Sequence, residues 1–484
     1  MTLQSGNPLP DSGLVDKLTS SQYSALKAFW RELFRLVDDA PEKGQVTFEV
    51  QDINPQNEIE KDPKDSLVDP QPGPPPVIKD ENLKEKLRAE QELRDAKVAL
   101  EKYGSIRFMD TFWNMIMMDD PDVIVLKFLR ARKWNVPAGV AMMAACLKWR
   151  IEYGVEKIVQ KGEEGYLDHP GFLHQFEVGK TFVQGTDRQG RPVVYINVRL
   201  HKASDQSPKT LEEFIVLAME SVRLMLTPPS VEKATIIIDM SGFGLANMDW
   251  KSLAFIVKCL ESYYPESLNV LVVHNPPWVF HGLWKIIAPM LDPVVRAKIQ
   301  ITKSSEDLKV HIDEKHLIES LGGKSHWKWE YEPVQSGENS LMADLTAKQH
   351  ELQNRKKIVQ LHAELTRKWY DEALPEDYLV HKDLIDEDLS VIAQLRKFIT
   401  YHLRVHYFVL DPYVRGRTVY HRTGRIIGNG LITFEYPRIL NEEKGEEVDR
   451  VEVLGYSMSK ENLMIEIEKF KSNFNQMGIE FPSL

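Results

Sequence analysis

The chain has 484 residues, which is too long for one ordinary domain and predicts two to four folded units. Its 43% hydrophobic and 27% charged residues are typical of a globular protein with a sizeable core. The formal net charge of −11 argues against a protein that binds nucleic acid through its overall charge. No apolar run approaches the ~18 residues of a membrane span, so any membrane contact is expected to be peripheral.

Two further features favour a cytoplasmic location. The first residues, Met1–Gly6, are polar and contain no signal-peptide core. The two cysteines, Cys146 and Cys259, lie in apolar, helix-like segments. We therefore expect both to be buried thiols in a reducing compartment.

The N-terminal part of the chain is predicted to be helical. A first helix at 19–38 has cap residues at Thr19–Ser21 and apolar residues near helical spacing. Residues 50–80 are acidic and rich in proline, which cannot sustain a helix or a central strand, so they are predicted to be a linker. Four further helices are predicted at 81–103, at 108–118, from about 122, and at 137–153.

The middle of the chain alternates strand and helix patterns. A hairpin is predicted where 182–184 and 193–198 flank the turn residues Asp187–Gly190. Short, continuously apolar segments at 235–239 and 270–273 are typical of strands buried on both faces. Such alternation predicts an α/β fold with a mainly parallel sheet. The remaining predicted elements are a strand at 298–302 and helices at 211–226, 249–263 and 278–291.

The C-terminal part is predicted to contain a long charged helix at 345–373 and a mixture of helix and hairpin at 388–484, with a turn at Gly428–Gly430. Residues 391–425 carry seven basic residues against Asp411 alone, a local charge of +6. The simplest interpretation is a solvated face that packs against the acidic remainder of the chain. The alternatives are a surface that docks on an anionic membrane or a protein, or, less favoured, on nucleic acid. The basic residues are Arg396, Lys397, Arg404, Arg415, Arg417, Arg422 and Arg425.

Common catalytic motifs are absent from the sequence. There is no G-x-S-x-G nucleophile elbow, no G-x-x-x-x-G-K-[ST] phosphate loop and no H-E-x-x-H zinc pair. Gly242-Phe243-Gly244 follows a strand, but Asn247 replaces the third glycine of a dinucleotide-binding turn. His402 and His406 are four residues apart without a third ligand, which favours packing or surface histidines. We expect no catalytic residue, no metal and no cofactor.

The segment Pro276–Leu291 is almost wholly apolar, and only His281 and Lys285 clearly interrupt it. Its predicted helix of 14 residues is too short to cross a bilayer. It is either an ordinary core helix or a helix that covers a lipid cavity. Its tryptophans, Trp278 and Trp284, suit a membrane interface because indole is amphipathic.

Six sequence blocks occur in a fixed order: FLRARKWNV, DRQGRPV, IIIDMSGF, YYPESL, NPPWVFHGLWKIIAPMLDPVVRAKI and LGGK. Together they resemble the CRAL-TRIO family of lipid-binding proteins, specifically its fungal phosphatidylinositol transfer branch. The resemblance covers about residues 84–328, roughly half of the chain. It implies a helical N-terminal unit followed by an α/β lipid-binding domain with a mobile gate helix.

The predicted organisation combines this resemblance with the patterns along the chain. The units are an N-terminal helical extension (1–49), an acidic linker (50–80), the CRAL-TRIO N-terminal helical unit (81–155), the lipid-binding domain (156–328), a second linker (329–344) and an α+β C-terminal extension (345–484).

The resemblance also implies a binding site for the phosphatidylinositol headgroup. The family contacts correspond here to Arg132 and Lys133 of the first block, to Glu266 after YYP, and to Lys298. Basic side chains pair with the phosphodiester, and a carboxylate accepts hydrogen bonds from inositol hydroxyls. A threonine often found before the last lysine is Val295 here, so one headgroup contact is expected to be lost.

The cavity is expected to be apolar. Positions that hold tyrosines or hydroxyl residues in members that bind choline lipids are Val183, Val194, Ala234, Ile236 and Leu260. Choline-lipid exchange is therefore not expected, and a second cargo, if there is one, is expected to be apolar, such as a sterol. The residues assigned to the gate helix and acyl cavity are Trp278, Phe280, Leu283, Trp284, Ile287 and Met290.

By this resemblance the chain is a non-enzymatic protein that encloses one phosphatidylinositol as cargo and exchanges it at membranes. Its expected partners are membranes of the endoplasmic reticulum, Golgi or endosomes and, by family analogy, a lipid kinase, whereas no nucleic acid is expected. One alternative is a lipid-sensing scaffold that recruits proteins through its terminal regions. The other is an α/β enzyme that depends on a nucleotide.

Overall fold

A computed structural model of the chain describes residues 13–40, 81–372, 390–441 and 443–482. The predictions for residues 1–12 and for the acidic linker at 50–80 lie outside these residues.

The N-terminal part is helical, as predicted. Its helices are α1 (Ser20–Asp38), α2 (Glu81–Tyr103), α3 (Ser105–Ile116), α4 (Pro121–Ala131) and α5 (Val136–Tyr153). Helix α1 begins with a capping box, in which Thr19 Oγ1 accepts from the Gln22 amide at 3.3 Å and Gln22 Oε1 accepts from the Thr19 amide at 2.9 Å. Helix α5 ends at Gly154, whose φ of 77° suits a C-terminal glycine.

The middle of the chain forms the predicted α/β unit. Its helices are α6 (Val155–Lys161), α7 (Pro170–Glu177), α8 (Pro208–Met225), α9 (Trp250–Lys258), α10 (Phe280–Ile287), α11 (Pro293–Ala297) and α12 (Ser305–Lys309). Its strands are β1 (Thr181–Thr186), β2 (Pro192–Asn197), β3 (Ala234–Asp239), β4 (Leu268–His274) and β5 (Ile299–Thr302).

These strands form one sheet in the order β1-β2-β3-β4-β5. Strands β2 to β5 are parallel, and β1 pairs with β2 in the antiparallel sense, as the hairpin pattern predicted. The register places Val194, Ile236, Leu271 and Ile299 in one row across the parallel strands. The amino ends of these four strands therefore share one edge of the sheet, and their carboxyl ends share the other.

Two predicted helices are shorter in the structure. The helix predicted at 249–263 ends at Lys258 and continues as a π-helical turn, Cys259–Tyr263. The helix predicted at 278–291 divides into α10 and a 3₁₀ turn, Ala288–Met290. Pro289 lies in that turn and has no amide hydrogen to continue the α-helical pattern.

The C-terminal part contains α13 (Leu345–Asp371), α14 (Val391–Val414), α15 (Val419–Arg422), β6 (Ile432–Asn441), β7 (Glu446–Leu454) and α16 (Lys460–Met477). Strands β6 and β7 form the expected antiparallel hairpin. The turn at Gly428–Gly430 precedes this hairpin, whose own turn includes residues 443–445.

One hydrophobic core joins helices from both ends of the chain. Its members include the fully buried side chains of Trp30, Phe112, Leu129, Ile399 and Phe474, which belong to α1, α3, α4, α14 and α16. Helix α1, the helices of the unit at 81–155 and the C-terminal helices α14 and α16 thus share one core.

The basic segment at 391–425 packs against acidic residues of the rest of the chain, as the simplest interpretation proposed, but most of its arginines are buried rather than solvated. Arg396 donates to both carboxylate oxygens of Asp122, at 2.5 and 2.6 Å, and Arg422 donates to Glu338 at 2.9 Å. The Arg396 and Arg422 side chains are buried, and their partners lie in distant parts of the chain, where sequence spacing cannot show them. The other buried arginines of the segment are Arg404, Arg415 and Arg425.

Candidate functional site

An apolar cavity of about 340 Å³ lies between the sheet and helices α8, α9 and α10. Ligand cavities typically measure about 300–1,000 Å³. Alternate strand residues line this cavity because successive side chains point to opposite faces of a sheet. Ala234, Ile236 and Ile238 of β3 line it, whereas Ile237 packs on the other face. A one-residue shift in register would therefore replace its lining.

The positions that the resemblance relates to choline-lipid binding lie in this cavity. Val183, Val194, Ala234, Ile236 and Leu260 all contribute to its lining. Each presents an apolar group where a hydroxyl would be needed to hydrogen-bond a polar headgroup. The middle of the cavity is thus suited to hydrocarbon and poorly suited to a phosphocholine group.

Helix α10 covers the cavity through one face. Phe280, Leu283, Trp284 and Ile287 line it and follow the i, i+3, i+4, i+7 spacing of a single helical face. Trp278, which lies just before this helix, is 85% exposed and does not line the cavity. Four of the six predicted gate residues therefore face the cavity.

The other side of this segment presents apolar groups to solvent. Besides Trp278, the exposed side chains include Ile286 at 56%, Met290 at 54% and Val294 at 49%. Large apolar groups that are this exposed and this close together commonly mark an interaction surface.

Two of the predicted headgroup residues meet at the amino edge of the sheet. Glu266 comes shortly before β4, and Lys298 comes directly before β5. The Glu266 carboxylate lies 3.6 Å from the Lys298 ammonium. Lys233, just before β3, lies 3.1 Å from the same carboxylate. Burial alone raises the pKa of Glu266, but the two lysines outweigh burial and hold that pKa below its ordinary value. The neighbouring residues Ser267 and Ile299 line the cavity, so this cluster lies beside it.

The other two predicted headgroup residues occupy different surroundings. Arg132 follows α4, and its guanidinium donates to both oxygens of Glu92 in α2, at 2.8 and 3.1 Å. Its side chain is buried, and its Nε atom has no hydrogen-bond partner. Lys133 is exposed and has a φ of 49°. The arginine that helps to lower the pKa of Glu266 is Arg130, not Arg132.

Sequence patterns missed two parts of this site. Lys233 belongs to the Glu266 cluster. Its position just before a predicted strand could have indicated this, because parallel strands bring their amino ends together. Lys180 and His201 form a polar cluster at the opposite edge and also line the cavity. Nothing in their spacing, 21 residues apart, indicates that they meet.

The residues considered for a dinucleotide-binding turn and for a metal site make the following contacts. Phe243 lines the cavity, and the Asn247 side chain accepts from the Gly244 amide at 2.8 Å. His406 contacts Glu351 at 3.0 Å. Within the described residues, no group of three or more potential metal ligands is found.

Cys146 and Cys259 are both free and buried, which confirms the predicted burial of the two thiols. Of the helices that the structure describes, none is both long and apolar enough to span a bilayer.

Comparisons with known proteins match the N-terminal helical unit and the α/β unit. Family models for the CRAL/TRIO domain and the CRAL/TRIO N-terminal domain match residues 176–323 and 82–145. A CRAL-TRIO domain-containing protein of Schizosaccharomyces pombe is 38% identical over 318 residues, which cover 65% of this chain and 68% of that protein. The phosphatidylinositol transfer protein CSR1 of Eremothecium gossypii is 36% identical over 319 residues, which cover 65% and 70%. The SEC14 cytosolic factor of Candida glabrata is 28% identical over 220 residues, which cover 42% and 71%.

Proposed function

The chain belongs to the CRAL-TRIO family, and from this premise we propose that it binds one phosphatidylinositol in its cavity and transfers it between membranes without catalysing a reaction. The observation that carries the proposal is the apolar cavity with the Glu266 and Lys298 pair beside it. The name of the relative CSR1, a phosphatidylinositol transfer protein, is consistent with lipid transfer.

The acyl chains would occupy the hydrocarbon-lined middle of the cavity, and the inositol phosphate would lie at the amino edge of the sheet. There Lys298 and Lys233 supply positive charge for the phosphodiester, and Glu266 accepts hydrogen bonds from inositol hydroxyls. Lys133 is exposed, and the resemblance alone assigns it to the same phosphate. Arg132 would contribute only by exchanging Glu92 for the lipid phosphate, because that carboxylate holds its guanidinium.

A gate is needed because release into water is costly. Burial of hydrocarbon contributes about 0.8 kcal/mol per CH₂, so two long acyl chains total on the order of 20 kcal/mol. Exchange must therefore occur where departing and arriving chains find an apolar environment, which is at a bilayer. We assign α10 as the gate, since one of its faces covers the cavity while Trp278 and Ile286 are available to a membrane.

This assignment gives the protein a peripheral place on cytoplasmic membranes, such as those of the endoplasmic reticulum, Golgi or endosomes. By family analogy, a lipid kinase would receive the presented phosphatidylinositol. Because the middle of the cavity lacks hydroxyl groups at the choline positions, a second cargo such as a sterol is more compatible with it than phosphatidylcholine.

The direct test is transfer of labelled phosphatidylinositol between vesicles by the full chain. Lys298→Ala combined with Glu266→Gln should reduce transfer about tenfold or more, because charge-assisted hydrogen bonds to the headgroup are lost. Lys303→Ala is the matched control, because Lys303 is exposed beyond the carboxyl end of β5. Equal transfer by the double variant and the control would show that the headgroup assignment is wrong.

The gate is tested separately by a disulfide engineered between α10 and the cavity wall that it covers. The oxidised protein, loaded with lipid beforehand, should retain that lipid but fail to transfer it, and reduction should restore transfer. Undiminished transfer by the oxidised form would exclude α10 as the gate.

A further inference from the structure

A polar cluster lines the cavity at the carboxyl edge of the sheet. Lys180 directly precedes β1, and its carbonyl accepts from the amide of Asn197 at the end of β2. The Lys180 ammonium lies 3.3 Å from His201 Nδ1. His201 Nε2 in turn lies 3.5 Å from Asp249, the N-cap of α9. All four residues line the cavity, and Lys180 is only 4% exposed.

The Lys180 ammonium has no direct ionic partner among the described residues, where no carboxylate lies within 4.0 Å of it. Asp249 is occupied by its helix, since its carboxylate accepts from the Lys251 and Ser252 amides at 3.0 and 3.1 Å and from Ser252 Oγ at 2.8 Å. Asp205 and Asp249 favour the charged lysine only from a distance.

The histidine neighbour cannot neutralise this lysine. An ammonium only donates, so His201 Nδ1 must accept, and the ring proton lies on Nε2 facing Asp249. Burial and Lys180 lower the pKa of His201, which keeps this ring neutral near pH 7. Burial also lowers the pKa of Lys180, to about 8, so the lysine is still mainly charged at pH 7. Two of its N–H donors are left for a ligand.

The cluster lies far from the amino-edge charges. Five residue steps separate Ala234 from Asp239 along β3, and each adds about 3.3 Å, so the two edges are roughly 16 Å apart. Lys233 lies at one edge, whereas Asn197 is registered against Asp239 at the other. A headgroup bound by Glu266 and Lys298 therefore leaves Lys180 beside the hydrocarbon.

We propose that Lys180, oriented by His201, is a second polar subsite that binds the carboxylate of a single-chain lipid, a long-chain fatty acid. The carboxylate accepts the free N–H donors of the lysine, and the alkyl chain runs along the apolar lining toward the amino edge. This cargo enters the cavity in the orientation opposite to that proposed for phosphatidylinositol. The inference rests on the lipid cavity of the proposed function but not on the headgroup assignment.

The experiment is displacement of a fluorescent fatty acid from the full-length protein by oleic acid or by oleyl alcohol, which has the same chain without the charge. We expect the acid to bind about tenfold tighter than the alcohol, because a charge-assisted hydrogen bond is lost with the carboxylate. Lys180→Met should remove this preference, and Lys180→Arg should restore most of it. Lys251→Met is the matched control, since Lys251 is exposed on α9.

Two parallel measurements separate this inference from the proposed function. Lys180→Met should load phosphatidylinositol as the wild type does, and Lys298→Ala should bind oleic acid as the wild type does, with thermal unfolding confirming that both variants fold. Equal affinity of the wild type for acid and alcohol, or unchanged acid binding by Lys180→Met, would overturn the subsite. Phosphatidylinositol binding without any fatty-acid binding would overturn it too, and would leave the proposed function intact.

Discussion

The ion pair between Arg396 and Asp122 should be the strongest single link between the C-terminal helices and the N-terminal helical unit. Arg396 donates to both oxygens of Asp122, and its Nε donates to Thr366 at 2.8 Å. Trp30 Nε1 donates to the same carboxylate at 2.6 Å, so residues of α1, α4, α13 and α14 meet there. Both charged side chains are only 8% exposed.

Replacement of Arg396 by methionine removes the positive partner of Asp122, whose carboxylate stays buried. Breaking a buried ion pair in this way typically costs about 3–5 kcal/mol, because the remaining charge is uncompensated. We therefore expect Arg396→Met to lower the free energy of unfolding by about 3 kcal/mol or more. Adding Asp122→Asn should recover part of this loss, because the amide carries no charge and still accepts from Trp30.

The chain supplies its own control for this substitution. Arg367 also donates to both oxygens of an aspartate, Asp38 of α1, at 2.7 and 2.8 Å. That pair is exposed, with side-chain exposures of 41% and 53%, so Arg367→Met should cost less than about 1 kcal/mol. The free energies of unfolding of both variants can be measured by urea denaturation, with circular dichroism as the signal. Equal losses for Arg396→Met and Arg367→Met would refute the assignment of a buried structural link.

Three other expectations follow from the structure. The pKa of Lys180 falls from about 10.5 when unfolded to about 8 when folded, so burial of its charge costs stability below about pH 8 and ceases to do so above about pH 10.5. Lys180→Met should therefore raise the free energy of unfolding by up to about 3 kcal/mol at pH 7 and by less at pH 10, and no gain at pH 7 would contradict this. Trp278→Ala should weaken binding to vesicles several-fold at unchanged stability, because this indole is 85% exposed, and unchanged sedimentation with vesicles would remove it from the membrane contact. Burial raises the pKa of Cys146 to about 12 and also raises that of Cys259, so both thiols should react with a disulfide reagent only after unfolding, and rapid labelling of the native protein would show that they are accessible.

Sequence patterns predicted the elements that depend on local chemistry. The bounds of α2 agree with the prediction, and the apolar β-branched run of β3 is a buried strand, because continuous apolar runs suit a sheet covered on both faces. Phe280, Leu283, Trp284 and Ile287, which the resemblance assigned to the gate helix and acyl cavity, all line the cavity. The five apolar choline positions line the cavity, as the resemblance implied.

Features that depend on distant partners could not be predicted in the same way. The basic segment at 391–425 looked like a surface because its acidic partners, such as Asp122 and Glu163, are more than 200 residues away. The resemblance placed Arg132 at the headgroup, but no pattern indicated that Glu92 of α2 would hold it. Lys233 joins Glu266 only because the sheet brings strand ends together.

Identification of the lipid that co-purifies with the full-length chain tests the central claim most directly. The protein should be expressed in a eukaryotic host whose membranes contain phosphatidylinositol, then extracted and measured by mass spectrometry. We expect close to one phosphatidylinositol per chain, greatly reduced in Lys298→Ala combined with Lys133→Ala and unchanged in Lys303→Ala. Recovery of a different phospholipid, of a nucleotide, or of no lipid from the folded protein would contradict the account.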